Sequence, residues 1–296
     1  MAGSCNGTAG SANNTLNVPR GITLINNGTT LIVADPNNKR VLAFNLSAKE
    51  TVGSILMTTP ATGQYPSFVM SYYNSLYVSI PAGHMVVVWP SNSTLPPSPP
   101  YTGACSPQYF NTPMGISMDI NGSIYIASQG CHCITRWTGS NPSQVAGVPN
   151  SPGTSNNKLT FPAGIYIDKQ RGFLYVADFS NHRVQKFDLH GNGSGITVAG
   201  GNAAGSAANQ LNLPLDVSVS KLDGAIYVAD HGNNRVQRWY VNATQGVTVA
   251  GNPLGTPGIR AVDLSGPFSI ALDPINETFL YVSDCNNNRV LRFTLP

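Results

Sequence analysis

Apolar positions fall in short runs of four to six residues, and the runs recur along the chain in one fixed order. A Pro opens an apolar stretch. A segment of the form Leu/Ile-Tyr-Val-Ala/Ser-Asp follows, then a polar turn, then Arg-Val-x-x-Phe/Trp. The opening residues are Pro19, Pro66, Pro113, Pro162, Pro214 and Pro267, at intervals of 47, 47, 49, 52 and 53 residues. The second segment recurs at Leu31–Asp35, Leu76–Ile80, Ile124–Ser128, Leu174–Asp178, Ile226–Asp230 and Leu280–Asp284. The third recurs at Val41–Phe44, Val86–Trp89, Ile134–Trp137, Val184–Phe187, Val236–Trp239 and Val290–Phe293. These runs are β-branched and aromatic and are bounded by Asn, Gly or Pro, so they predict strands. A weaker fourth strand is predicted at Gln144–Gly147, Thr197–Gly200 and Thr248–Gly251. No stretch carries the 3.6-residue period of a long helix.

Four antiparallel strands in each period of about 50 residues make one propeller blade. A single blade cannot bury both faces of its sheet, whereas six blades in a ring bury each face against a neighbour. The predicted fold is therefore all-β, a six-bladed β-propeller forming one domain over residues 1–296. In blade 2, Pro90, Pro96, Pro97, Pro99 and Pro100 crowd the place of the fourth strand, which predicts a loop there. The same prolines offer a polyproline II ligand as an alternative use. The segment before Pro19 aligns without gaps on residues 249–264, which places residue 1 at the end of an outer strand. Blade 6 is accordingly expected to have an incomplete outer strand, with the missing part supplied by residues of a parent chain.

The segments LYVADFSNHRVQKF (174–187) and IYVADHGNNRVQRW (226–239) resemble NHL repeats, and the resemblance extends over nearly the whole chain. Four repeats carry Asp-x4-Arg-Val: Asp35 with Arg40, Asp178 with Arg183, Asp230 with Arg235, and Asp284 with Arg289. Blade 2 has Ile80 and Met85 at these positions and blade 3 has Ser128 and Cys133, so acid and base are lost together. Four copies on different blades cannot form one active site. They are expected to be structural partners that hold the second turn by charge-assisted hydrogen bonds.

Similar six-bladed propellers include amidating lyases, which bind zinc through channel histidines, and calcium-dependent lactonases. The lyase pattern puts His directly after the opening Pro; here Arg20, Ser67, Met114, Ala163, Leu215 and Phe268 stand there. One residue further along, Asp216 is the only acid, and one carboxylate does not make a calcium site. His84, His132 and His182 share one repeat position on consecutive blades, too far apart to bind one zinc ion, and Lys39, Asn234 and Asn288 take that position elsewhere. Neither Gly-x-Ser-x-Gly nor His-Glu-x-x-His occurs. The expectation is no metal, no cofactor and no catalytic residue.

Composition bears on the compartment. Charged residues are 10% of the chain, against roughly 25% in an ordinary domain, and the net charge is +3. No basic stripe marks a nucleic-acid binder, and no apolar run is long enough to insert in a membrane. The opening residues lack the regions of a signal peptide, so the reading is of a mature protein or excised domain. Glycosylation sequons begin at Asn6, Asn13, Asn27, Asn45, Asn92, Asn121, Asn192, Asn242 and Asn276. Cys5 and Cys285 are expected to meet at the seam of the ring, and Cys105 to pair with Cys131 or Cys133. Together these favour an extracellular or cell-surface location, with a cytoplasmic one as the alternative.

The predicted function is a non-enzymatic binding module, a monomeric domain of a larger chain, that presents one loop face to a protein or other ligand. That face is formed by the second turns and blade-entry loops, with Arg20, Tyr65, Met114, Phe161, Leu215 and Phe268 as candidate anchors. The resemblance also implies two alternatives. One is an intracellular module like those of ubiquitin ligases, recognising RNA or protein; the other is a degenerate lyase- or lactonase-like enzyme.

Overall fold

The structure is a computed structural model that describes residues 2–4, 6–48, 51–59, 63–90, 93–95, 105, 110–139 and 141–296. It is a six-bladed propeller. Blade 1 consists of Ile22–Ile25, Thr30–Asp35, Arg40–Asn45 and Ser54–Thr58, in that order from the axis outward. Blade 4, with the most regular repeat, consists of Pro162–Asp168, Phe173–Asp178, Arg183–Asp188 and Ile196–Gly200. The strands of each blade pair antiparallel, and the inner strand of every blade, the sixth included, packs against that of the next. Apolar clusters fill the spaces between blades; one, for example, joins Tyr175, Val184 and Leu211 to Val217, Val228 and Trp239.

The opening prolines start the innermost strands of blades 3–6 and lie just ahead of them in blades 1 and 2. Blade 2 departs from expectation. Ser93–Leu95 forms a short outer strand on Met85–Trp89, with Val86 opposite Leu95. An outer edge needs only one ladder, so three residues before Pro96 suffice. Residues 96–100 lie outside the described residues.

Each second turn is a single 3₁₀ turn closed by a left-handed residue: Lys39, His84, His132, His182, Asn234 or Asn288, with φ between 50° and 59°. In blades 1, 4, 5 and 6 the Asp–Arg pair anchors this turn. Each Arg Nε donates to Asp Oδ2 at 2.8 Å, with both side chains buried. The other oxygen accepts a backbone N–H from the blade-entry segment, at Asn17, Thr160, Asn212 or Ser265. The guanidinium reaches further than the hairpin. Arg183 donates to the carbonyls of Thr154, Ser155 and Lys158, and Arg235 to those of Ser206, Ala207 and Gln210. The pair is thus a clasp between the second turn and the entry loop. Burial pushes the Asp178, Asp230 and Asp284 carboxyls up, and the hydrogen bonds and the guanidinium pull them back down.

Blade 6 has three strands, and Ala2–Gly3 lies along its outer edge. Gly3 pairs with Arg289, and Val290 N–H donates to Ala2 O at 2.9 Å, matching the pairing of Gly251 with Arg235 in blade 5. The alignment of residues 1–16 on 249–264 predicts this register.

The seam staple is corrected. Cys285 is a buried free thiol packed in the core beside Leu215 and Phe268, and Cys5 lies outside the described residues. Hydrogen bonds close the seam instead: Val18 N–H to Asn288 Oδ1, Asn288 Nδ2 to Gly7 O, and Ile22 N–H to Ser269 Oγ. In blade 3 the open choice resolves to Cys105–Cys131, a disulfide that ties the entry segment to the second turn. Cys133, at the Arg position, is a buried thiol pushed up to about 12 by desolvation.

Candidate functional site

The residues after the opening prolines point to the axis, and their types decide whether it is open. Met114, Ala163, Leu215 and Phe268 belong with Phe68 to one buried cluster. The Phe68 and Phe268 rings lie 5.2 Å apart, the Arg20 guanidinium sits 5.4 Å over Phe268, and Ser67 Oγ lies against Met114 Sδ. These side chains form an apolar plug across the second-turn end of the axis. Of the six anchors read from the sequence, Met114, Leu215 and Phe268 are therefore buried. The reason is that large side chains from blades 2, 3, 5 and 6 (Phe68, Met114, Leu215 and Phe268) gather in one cluster at this level of the axis and shield one another from solvent. Tyr65 and Phe161 remain exposed at 39% and 44%, and Arg20 is half-buried.

Beyond the plug the axis opens toward the first-turn face as a cavity of about 230 Å³, whose lining includes Tyr166, Asp216, Ser218, Lys221, Ser269 and Glu277. Asp216 forms its floor. One carboxylate oxygen accepts from Val217 N–H at 2.9 Å; the other accepts from Ser269 Oγ at 2.7 Å and Ile270 N–H at 3.0 Å. The carboxylate so joins blade 5 to blade 6. Gly164 makes room for it, because a Cβ there would collide with the Asp216 carboxylate. Desolvation raises Asp216 to about 7, against the pull of those three hydrogen bonds. Its proton therefore exchanges near neutrality, as a general acid or base requires. At the mouth, Lys221 N–H donates to Glu277 Oε1, and the Lys169 ammonium sits 5.4 Å over Tyr72. The sequence marks Asp216 as the lone acid at its level; that it floors an open cavity follows only from ring closure and the plug.

The three histidines of the second turns do not converge. Each Nδ1 accepts a backbone N–H from the following blade: His84 from Thr112, His132 from Phe161 and His182 from Leu213, at 3.1–3.2 Å. Among the described residues no group of three His, Cys, Asp or Glu side chains is placed to hold a metal ion. Asn6, Asn13, Asn27, Asn45, Asn121, Asn192, Asn242 and Asn276 are all exposed; Asn92 lies outside the described residues. Several of these side chains cap their own turns, as Asn45 does for Ser47 and Ala48, and Asn13 also accepts from Arg40. No helix among the described residues is long and apolar enough to cross a membrane.

Residues 159–187 and 211–239, in blades 4 and 5, match the NHL repeat. A probable peptidyl-alpha-hydroxyglycine alpha-amidating lyase of Caenorhabditis elegans is 27% identical over 166 residues, covering 54% of this chain and 45% of the relative. NHL repeat-containing protein 3 of Mus musculus is 35% identical over 99 residues, 32% of this chain and 27% of that one. The chain thus spans less than half the length of these relatives. Among solved structures, a gluconolactonase of Xanthomonas campestris superposes with a TM-score of 0.68 at 12% identity, covering 97% of this chain and 88% of that one. A streptogramin B lyase gives 0.60 at 14% identity, with 98% and 85% covered. At these identities the structural likeness concerns the fold.

Proposed function

We propose that this six-bladed propeller, whose blades 4 and 5 match the NHL repeat, is a non-catalytic binding module of the cell surface or extracellular space that engages a protein on its second-turn face. The plug carries this reading. It turns the second-turn end of the axis from a channel mouth into a continuous surface, on which Tyr65, Phe161 and Arg20 remain to make contact. Exposed aromatics and an Arg around a solid centre are the residue types that anchor protein interfaces. The Cys105–Cys131 disulfide and the eight exposed sequons support an oxidising, glycosylating compartment. Affinity capture from the native source tests the proposal. The partner bound by the wild type is expected to be lost with Tyr65→Ala/Phe161→Ala and kept with Asp216→Asn; the reverse pattern would overturn the assignment of the face.

A second reading rests on Asp216. A carboxyl that titrates near 7 at the floor of an axial cavity favours proton-transfer chemistry on a small molecule entering from the first-turn face. Lyases among the relatives and neighbours lend it support. It predicts a lyase or lactonase activity abolished by Asp216→Asn and untouched by Tyr65→Ala/Phe161→Ala.

A further inference from the structure

Successive blades are joined at the second-turn face by one recurring hydrogen bond. In five of the six blades the left-handed residue that closes the second turn accepts the backbone N–H of the residue just before the next opening Pro. His84, His132 and His182 do this for Thr112, Phe161 and Leu213. Asn234 does it for Gly266 at 2.9 Å, and Asn288 for Val18 at 2.8 Å. Lys39 has no acceptor to offer. The residues so held are strained: Val18, Thr112, Phe161 and Leu213 take φ of 51–59°, an unfavourable region for any side chain and worst for β-branched ones. Tyr65, which follows Lys39 around the ring, is not among the residues held at positive φ.

We propose that these histidines make one side of the ring an acid-sensitive latch: protonation of His84, His132 and His182 releases the entry segments of blades 3, 4 and 5, while the asparagine latches of blades 5–6 and 6–1 hold. A neutral imidazole accepts at Nδ1 while carrying its proton on Nε2. An imidazolium has two N–H groups and no acceptor, so its Nδ1–H would face a backbone N–H. With the bond gone, Thr112, Phe161 and Leu213 lose the hydrogen bond that offsets the strain of their left-handed conformation. An Asn amide does not titrate, so Gly266 and Val18 keep their partner.

The charges around the rings differ. The carboxylate of the next blade stands beside two of the entry segments: Asp178, paired with Arg183, at Thr160–Phe161, and Asp230, paired with Arg235, at Asn212–Leu213. At the His84 latch that place is taken by Ser128 and Cys133, which carry no charge. The His132 ring also meets Phe161 edge-on, with centroids 4.6 Å apart. Burial holds His84 and His132 below the ordinary 6.5, and Asp178 draws His132 partly back. A depressed histidine contributes stability that is complete above 6.5 and is lost as the pH falls below it. His231 is an internal control. Its Nδ1 bonds the Pro267 carbonyl at 3.3 Å, where the ring must donate, so protonation leaves that bond intact.

Amide hydrogen exchange, corrected for intrinsic rates, reads the latch residue by residue. From about pH 7.5 to about pH 5, protection at Thr112, Phe161 and Leu213 is expected to fall about tenfold or more, while Gly266 and Val18 change less than about twofold. His84→Asn/His132→Asn/His182→Asn places at each turn the residue that blades 5 and 6 already use. This variant is expected to fold and to lose the acid response at all three amides; His132→Asn alone makes the same test at Phe161. An acid response that survives the substitutions, or one shared equally by Gly266 and Val18, would overturn the proposal.

Discussion

In blades 4 and 5 the second turn is tied to the blade-entry loop by a buried Asp–Arg clasp, whereas blade 3 makes the tie with a disulfide and blade 2 has neither. At the same two positions blade 2 carries Ile80, fully buried, and Met85, packed with it between blades 1 and 2. All four blades keep the 3₁₀ turn and its left-handed residue. The hairpin therefore does not need the clasp. What the clasp adds is attachment of the long entry loop, whose carbonyls Arg183 and Arg235 gather. Apolar contact holds a turn equally well but cannot satisfy carbonyls, so blades that must order a long loop use a guanidinium or a covalent bond.

Removing one partner of the clasp is the largest way to break this equivalence. Asp178→Ala leaves the buried Arg183 unpaired, and Arg183→Ala leaves a buried carboxylate and three uncapped carbonyls, so each is expected to cost about 3–5 kcal/mol in urea unfolding. The double variant should cost clearly less than the sum. Additive losses would show that the two side chains act independently.

The disulfide should match that scale if it stands in for a clasp. Cys105→Ser opens a link of sequence separation 26, for which the chain-entropy account gives roughly 3–4 kcal/mol. Calorimetry on reduced and oxidised protein checks it, with Cys105→Ser and Cys131→Ser expected to be equivalent. Cys133→Ser should leave the bridge intact, and a shift in disulfide mass on that substitution would reassign it.

The repeat period, the blade boundaries and the clasp pairs are legible in the sequence because each repeats with the same spacing. A property of one blade shows up six times, and the exceptions at Ile80/Met85 and Ser128/Cys133 sharpen it. What depends on contacts between blades is not legible in this way. Met114, Leu215 and Phe268 interrupt the repeat, but only closure of the ring brings them together into a plug. His84, His132 and His182 stand in register in the sequence, yet their acceptor role requires knowing that the next blade brings a bare N–H to them. Cys285 misleads for the same reason: the second-turn position is right for a seam contact, but its side chain packs inward toward the axis.

Asp216 offers a smaller effect of definite sign. Its folded value of about 7 lies above the usual 3.8, so its contribution to stability is complete below about 3.8 and is lost as the pH rises through 7. The slope is at most about 1.4 kcal/mol per pH unit. Asp216→Asn should flatten this limb while leaving the acid limb set by the histidines, which runs in the opposite direction. Melting curves of the single variant between about pH 4 and about pH 9 separate the two, and an unchanged slope between about pH 4 and about pH 7 would mean that Asp216 is already ionised at neutral pH.

The smallest effect is expected at Lys39, where the comparison between blades can be sharpened by adding rather than removing a group. Lys39 closes the second turn of blade 1 at φ 54°, a conformation in which Asn is far more common than Lys. The other five junctions place His or Asn there and bond the next blade; this one leaves the junction of blades 1 and 2 without that bond. Lys39→Asn relieves backbone strain and supplies the kind of acceptor that the other junctions use for the residue before the opening Pro, here Tyr65. The gain is limited because Tyr65 must then enter the left-handed region that Val18, Thr112, Phe161 and Leu213 already occupy. A net stabilisation below about 1 kcal/mol is expected, together with new protection of the Tyr65 amide in hydrogen exchange. Stabilisation without that protection would assign the gain to the turn alone. Protection without stabilisation would show that the latch and the strain it imposes on the next blade are nearly balanced.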